Sequence, residues 1–231
     1  MTSETPAPRA DRAFLEKSLA EIPKRYSPVA HVVSTSSIGL CGLALAILMV
    51  DSFGGTELAT VLVMVTVANL VEWIAHKEML HKRRRYWEVL YDQHTPMHHR
   101  MYREASMAVG SRQEWRFVLM PARGVLGIAI LGIPIALAAY LLFGADIGWT
   151  VIATIAIYVS SYEVLHLAYH MPDGNPLWGN RLVRALSRHH ARHHDPKLMQ
   201  KYNFNVTLPL WDWILGSFAP KREELKNTED A

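Results

Sequence analysis

Twelve histidines stand in this chain of 231 residues, and eleven of them lie between His76 and His194. They form four sets: His76 and His81; His94, His98 and His99; His166 and His170; and His189, His190, His193 and His194. Neutral imidazole is the commonest metal-binding side chain and suits iron, zinc, copper or nickel. His166 and His170 are four apart, so on a helix they share a face and reach one ion. His190 and His194 are related in the same way, while His193 sits about 100° round from His194. That set therefore offers ligands in two directions, which two adjacent metals would use. His76 and His81, five apart, fall on different faces of an ideal helix; they either serve two metals or mark a helix ending near Lys82. Pro96 disfavours helical geometry at Thr95, so Thr95 is expected to cap a new helix with Pro96 in its first turn. His94 would then reach the site from the preceding segment, and His98 and His99 from the new helix. His76, His81, His94, His98, His99, His166, His170, His190, His193 and His194 divided between two metals give about five ligands each, which leaves an octahedral ion open. A structural zinc site closes at four. The count therefore favours a catalytic redox pair, with His189 as the reserve ligand. His31, before the first apolar stretch, reads as an interfacial residue without chemistry.

Three carboxylates lie near these sets. Glu72 is four residues before His76, Glu163 three before His166, and Asp195 directly follows His194. A carboxylate that accepts the far N–H of a ligating imidazole fixes its tautomer and raises its basicity. Glu72 and Glu163 also end apolar stretches, where a charge needs a partner. Asp195-Pro196 reads equally as a helix stop.

The elements that must position these residues are apolar helices. Half of the chain is apolar, and four apolar stretches stand out: Val32 to Val50, Leu58 to Ala75, Gly124 to Ala145 and Gly148 to Tyr169. Each approaches the ~20 residues that cross a ~30 Å hydrocarbon layer. Asp51 to Glu57 joins the first two and Gly144 to Gly148 the last two, so two helical hairpins are expected, since helices alone satisfy their own backbone in lipid. The 24 Lys and Arg fall five in the N-terminal arm, ten in the segment from Lys77 to Arg123 and nine in the tail from Arg181 to Lys226, with none in either hairpin turn. By the positive-inside tendency, both termini and all the histidine sets are cytoplasmic. The basic segments need no nucleic acid to explain them. The single Cys41 excludes an intrachain disulfide and a cysteine zinc site. The expected organisation is an N-terminal arm over 1–30, a membrane-embedded unit over 31–219 and a polar tail over 220–231. The first dozen residues read as disordered and do not form a signal peptide. Phe14, Leu15, Leu19 and Ile22 form an apolar stripe that lies along the headgroups or packs on the protein itself.

These motifs together resemble the fatty acid hydroxylase and sterol desaturase superfamily. They are H-x4-H at His76, H-x3-HH at His94, H-x3-H at His166 and H-x2-HH at His190, in that order. The segment NFNVTLPLWDWILGSF from Asn203 to Phe218 is similar to that family's C-terminal signature. The resemblance spans roughly Leu58 to Phe218. It implies an all-α integral membrane fold, with four transmembrane helices carrying a cytosolic helical cap and a two-metal site between them. It also implies two iron ions, replaceable by zinc on purification, held by the histidines above. The implied reaction uses dioxygen as co-substrate and external electrons to hydroxylate a C–H bond of a lipid: a fatty acyl chain, a sterol or a related isoprenoid entering from the bilayer. A separate donor, a ferredoxin or a b-type cytochrome with its reductase, is expected to supply the electrons, because these residues contain neither a cytochrome nor a dinucleotide fingerprint. Asn203, Asn205 and Asp212 either line or brace the site or, as their residue types favour, form turns and structural contacts. Desaturation or carotenoid hydroxylation on the same scaffold is the alternative. A metal transporter is the remote one, disfavoured because the histidines gather at one surface. A zinc hydrolase needs about three ligands, far fewer than ten.

Overall fold

The structure, a computed structural model, describes residues 11–172 and 174–221. The disordered arm and the polar tail expected from the sequence fall largely outside the described residues. Eleven α-helices are described: α1 Arg12–Ala20, α2 Pro28–Met49, α3 Gly55–Ala75, α4 Glu88–Gln93, α5 His99–Met101, α6 Trp115–Val118, α7 Ala122–Leu131, α8 Ile133–Phe143, α9 Ala145–Tyr169, α10 Arg181–His193 and α11 Leu210–Ile214. Among the described residues there is no β-strand, only an isolated bridge between Arg103 and Ser106.

Four helical stretches are long and apolar enough to cross a membrane: Pro28–Met49, Gly55–Leu80, Arg112–Phe143 and Ala145–Tyr169. The protein is a multi-pass membrane protein with the expected four spans. The third is not one straight rod, because Gly132 breaks it between α7 and α8, two residues before Pro134. α9 begins at Ala145, three residues earlier than the sequence suggests, because Gly144 turns the chain in a single residue at φ 100°. A side chain is strained in that left-handed conformation and glycine is not.

The connectivity is that of two hairpins, but the packing is centred on α9. α2, α3 and α8 all pack on α9, and α2 leans on it rather than on α3. Small residues explain this close approach: a Cβ at Gly42 would stand 2.5 Å from the Ala156 side chain, and one at Gly39 2.7 Å from Ser160. Without a hydrophobic drive between helices in lipid, such backbone proximity is what holds them together. The apolar window of α9 is 56% buried, against 6–17% in the other spans, whose outer faces are left for lipid. At one end the two hairpin turns are clasped, the Asp146 carboxylate accepting from the backbone N–H of Asp51 and Ser52 at 3.0 and 3.2 Å. The chain ends of α3 and α9 that carry histidine therefore share the opposite end.

Two residues of the α1 apolar stripe pack on the protein itself. Asp11 caps α1, accepting from Phe14 N–H at 2.9 Å, and also holds the Arg100 guanidinium at 2.6 Å. Phe14 and Leu15 pack on the buried cluster of Met101, Tyr102, Val109, Val118, Leu119 and Leu167, beneath the second histidine set.

Candidate metal centre

The ten histidines expected as ligands come together in two groups of five, all buried. One holds His76, His81, His94, His99 and His193; the other holds His98, His166, His170, His190 and His194. Within each group the available nitrogens lie within 4.8 Å of one another. The groups adjoin, with the His99 and His194 rings 4.2 Å apart between centroids.

Local backbone geometry sorts the residues. α3 runs into a π-helical turn, His76–Leu80, in which His81 N–H bonds His76 O. α4 runs into a second one, His94–His98, in which His99 N–H bonds His94 O. The wider i to i+5 turn returns the fifth residue to the face of the first, so both five-residue spacings deliver two imidazoles to one group. Of the two readings of His76 and His81, the helix that ends near Lys82 is the one observed, and the pair serves one group rather than two. The expected helix start at Thr95 is corrected, since α4, the π turn and α5 follow one another without a break. Pro96 has no N–H to donate, and the widened turn relieves its ring from the preceding carbonyl. Thr95 instead donates its hydroxyl to Leu80 O at 2.7 Å. The second group takes the two i to i+4 pairs, His166 with His170 and His190 with His194. His98 and His193 cross over, each joining the group that its helical neighbours do not.

The hydrogen bonds determine which nitrogen faces inward. A carbonyl only accepts, so a ring nitrogen bonded to one must carry the proton. His98 Nδ1 donates to Phe117 O at 2.9 Å, while His170, His193 and His194 Nδ1 donate to Met107, Tyr202 and Tyr102 O at 2.8 Å each. His76 Nδ1 donates to Phe204 O. Each of these rings therefore turns a bare Nε2 lone pair inward when neutral. Burial keeps them neutral: it holds His170 and His193 down to about 4, and His94, His98, His99, His190 and His194 well below the usual imidazole value.

Ring nitrogens face each other at short range. His76 and His94 Nε2 are 2.9 Å apart, His81 and His193 Nε2 2.9 Å, His94 and His99 Nε2 3.1 Å, and His190 and His194 Nε2 3.1 Å. His98, His166 and His170 Nε2 are buried without a hydrogen-bond partner. Converging bare nitrogens repel unless a cation is shared. Ligands ~2.0–2.1 Å from a metal stand about 2.9 Å apart along an octahedral edge and about 3.4 Å along a tetrahedral one. The spacings are short enough for the donors of each group to converge on one metal ion.

The carboxylates do other work. Glu72 does not reach an imidazole: its carboxylate accepts from Val206 and Thr207 N–H, from the Thr207 and Tyr158 hydroxyls and from Asn69. Glu163 accepts from Met120 N–H at 2.8 Å, and its other oxygen is buried without a hydrogen-bond partner. Asp195 accepts from Lys197 N–H at 2.9 Å, as a helix-stop residue does. The expected carboxylate contacts to His76, His166 and His194 are thus replaced. Main-chain carbonyls orient His76 and His194, and no sequence signal marks them because every residue has one. The carboxylate that does meet an imidazole is Asp212, on His189 Nε2 at 3.0 Å. His189 lies outside both groups, whereas His190 lies inside the second.

Asp212 also accepts from Phe204 and Asn205 N–H and from the Ser217 hydroxyl. Asn203, at φ 59°, bonds His189 O and Ala219 N–H, and Asn205 bonds Asn69 O. The segment from Asn203 to Thr207 is thereby pinned between Glu72 and Asp212. It presents Phe204 O to His76, while Tyr202 just before it serves His193. Of the readings of Asn203, Asn205 and Asp212, the structural one is what the contacts show.

Two cavities flank the centre. One of about 650 Å³ runs between α2, α3, α9 and α10, from Phe53 to Leu208, and none of the grouped histidines lines it. The other, about 250 Å³, is lined by His94, His98 and His166 and therefore opens on both groups; its walls include Leu80, Leu90, Met97 and Phe117. His31, far from the histidine sets in sequence, also lines it and donates from Nε2 to Met120 O at 2.8 Å.

Among known proteins, the family described as fatty acid hydroxylase matches residues 61–217, more than half of the chain. A human protein named fatty acid 2-hydroxylase is 26% identical over 162 residues, which cover 68% of this chain and 39% of that protein. The protein of the same name from Macaca fascicularis matches to the same extent. The aligned part is thus about two fifths of the length of these relatives. No solved structure matches the chain.

Proposed function

Because this chain belongs to the fatty acid hydroxylase family, we propose that it is a membrane-bound two-iron oxygenase that hydroxylates a C–H bond of a lipid. The net reaction joins the lipid, one dioxygen, two electrons and two protons to give the hydroxylated lipid and water. The observation that carries this reading is the pair of interleaved five-imidazole groups opening on one cavity beside the membrane spans. The ten grouped histidines are the proposed ligands. Iron bound there supplies dioxygen reduction and the oxidising power that an unactivated C–H bond demands.

The chain's own residues do the rest. The carbonyls of Phe204, Phe117, Met107, Tyr202 and Tyr102 each keep a proton on the Nδ1 of their histidine and turn Nε2 toward the centre. Removing such outer partners typically costs about 10–100-fold in metal affinity. Leu80, Leu90, Met97 and Phe117 make the cavity wall apolar, which excludes water and accepts a hydrocarbon chain. The names of the two relatives support an acyl chain as the substrate. Electrons arrive from a separate carrier, a ferredoxin or a b-type cytochrome with its reductase. The termini and the histidine end of the bundle face the cytoplasm, where that carrier resides.

Isotope labelling tests the reaction. Purified iron-loaded protein, reductant and acyl lipid, given labelled dioxygen or labelled water in parallel, are expected to yield a hydroxylated lipid carrying label from dioxygen alone. A double bond without label would assign desaturation instead. Label from water alone, or turnover without reductant, would overturn the oxygenase reading.

A further inference from the structure

The cavity that reaches the histidines has one charged corner. Arg116, exposed in α6, lines it together with His31 at the start of α2. The Arg116 guanidinium carbon lies 5.6 Å from the centre of the Tyr26 ring, and Tyr26 OH bonds His31 Nδ1 at 3.0 Å. His31 Nε2 is committed to Met120 O and Nδ1 to the Tyr26 hydroxyl, so its two nitrogens are both used. Arg116 is not: among the described ion pairs none includes it. The rim also carries Glu21, which makes no ion pair with Arg116.

The volume decides how a lipid sits. About 250 Å³ is below the ~300–1,000 Å³ that encloses a drug-sized ligand. It holds only one end of an amphiphile, so the head remains at the rim. A guanidinium with free donors at the edge of an apolar cavity matches a carboxylate or a phosphate, which it binds through paired charge-assisted hydrogen bonds. We infer that Arg116, positioned by Tyr26 and His31, is the headgroup site of this enzyme, selecting amphiphiles with an anionic head over neutral ones. Glu21, which also lines the cavity, disfavours an anion beside itself. The assignment rests on the hydroxylase reading, but it is tested by binding.

The probes are palmitate, hexadecyl phosphate and hexadecanol, which share one chain and differ in the head. Their equilibrium binding to metal-loaded protein in phosphatidylcholine nanodiscs is measured above that to empty discs. At least one anionic probe is expected to bind roughly tenfold more tightly than hexadecanol. Arg116→Gln is expected to erase that difference while leaving hexadecanol binding and metal content unchanged. Arg116→Lys should keep part of it, and Glu21→Gln should keep or increase it. Preference for palmitate alone assigns a free carboxylate as the head; preference for hexadecyl phosphate alone assigns a phospholipid-type head. Equal binding of all three probes to the unaltered protein, or equal weakening of all three by Arg116→Gln, would overturn the assignment. Normal oxygen incorporation without charge preference removes the headgroup site alone, whereas charge preference without oxygen incorporation counts against the hydroxylase reading.

Discussion

His189 and His190 are adjacent and both buried, yet their surroundings give them opposite tasks. His189 donates to a carboxylate that simultaneously holds two backbone N–H groups of the C-terminal segment, so its ring is a strut. His190 turns its Nε2 to within 3.1 Å of that of His194, inside a group of five imidazoles that could hold a metal ion. Replacement should separate the two tasks. His190→Ala is expected to lower iron content from about two per chain to about one by elemental analysis, on the two-metal reading. His189→Ala should retain both ions but lose about 1–3 kcal/mol of stability, because Asp212 loses a buried partner. Retention of both ions by His190→Ala, or loss of one by His189→Ala, would exchange the roles.

At the scale of elements, the sorting of ligands is a matter of helical pitch. The first group is built from two five-residue spacings, each bracketing a π turn, and the second from two four-residue spacings on α9 and α10. Such single π turns are rare and gather at functional sites. They cost a less regular hydrogen-bond pattern, which Thr95 offsets by bonding Leu80 O and by standing 3.2 Å from His81 Nδ1. Deleting Met79, which lies within the first π turn, would shorten the spacing to four and let an ordinary helical turn form. Its expected effect is loss of iron from the first group alone, leaving about one ion per chain and a folded second group. A variant that keeps two ions would show that the π turn is not what gathers His76 and His81.

For the whole molecule, α9 is both the core of the bundle and the carrier of His166, so span packing and site geometry are coupled. The Asp146 clasp holds the two hairpin turns together at one end, and the histidines occupy the other. All 24 Lys and Arg avoid the turns, and the positive-inside tendency is the support for the proposed cytoplasmic side of the histidine end. In a Cys41→Ser background, Arg84→Cys is expected to react with a membrane-impermeant thiol reagent only after the cytoplasmic face is opened. Gly54→Cys should react from the opposite face of intact cells. The reverse pattern would invert the topology and move the electron donor to the other compartment.

The sequence by itself determined the four spans, the ten clustered histidines and the family, because hydropathy over some twenty residues and ligand spacing are local properties. Helical spacing favours His190 over His189 but leaves His189 in reserve; the gathering of His190 with four other imidazoles is tertiary. Local rules left His76 and His81 open and went astray at Thr95, since ideal helix geometry has no place for a π turn and the competing tertiary contacts decide its pitch. The partition into two groups, with His98 and His193 crossing over, depends on segments up to 118 residues apart in sequence meeting at one end of the bundle. The partners of Glu72 and Glu163 were equally hidden, since a carboxylate near a histidine in sequence can be satisfied by any donor that folding brings closer. Only the tertiary structure decided these points. The imidazoles are oriented largely by backbone carbonyls, which every residue carries and only three-dimensional packing aims.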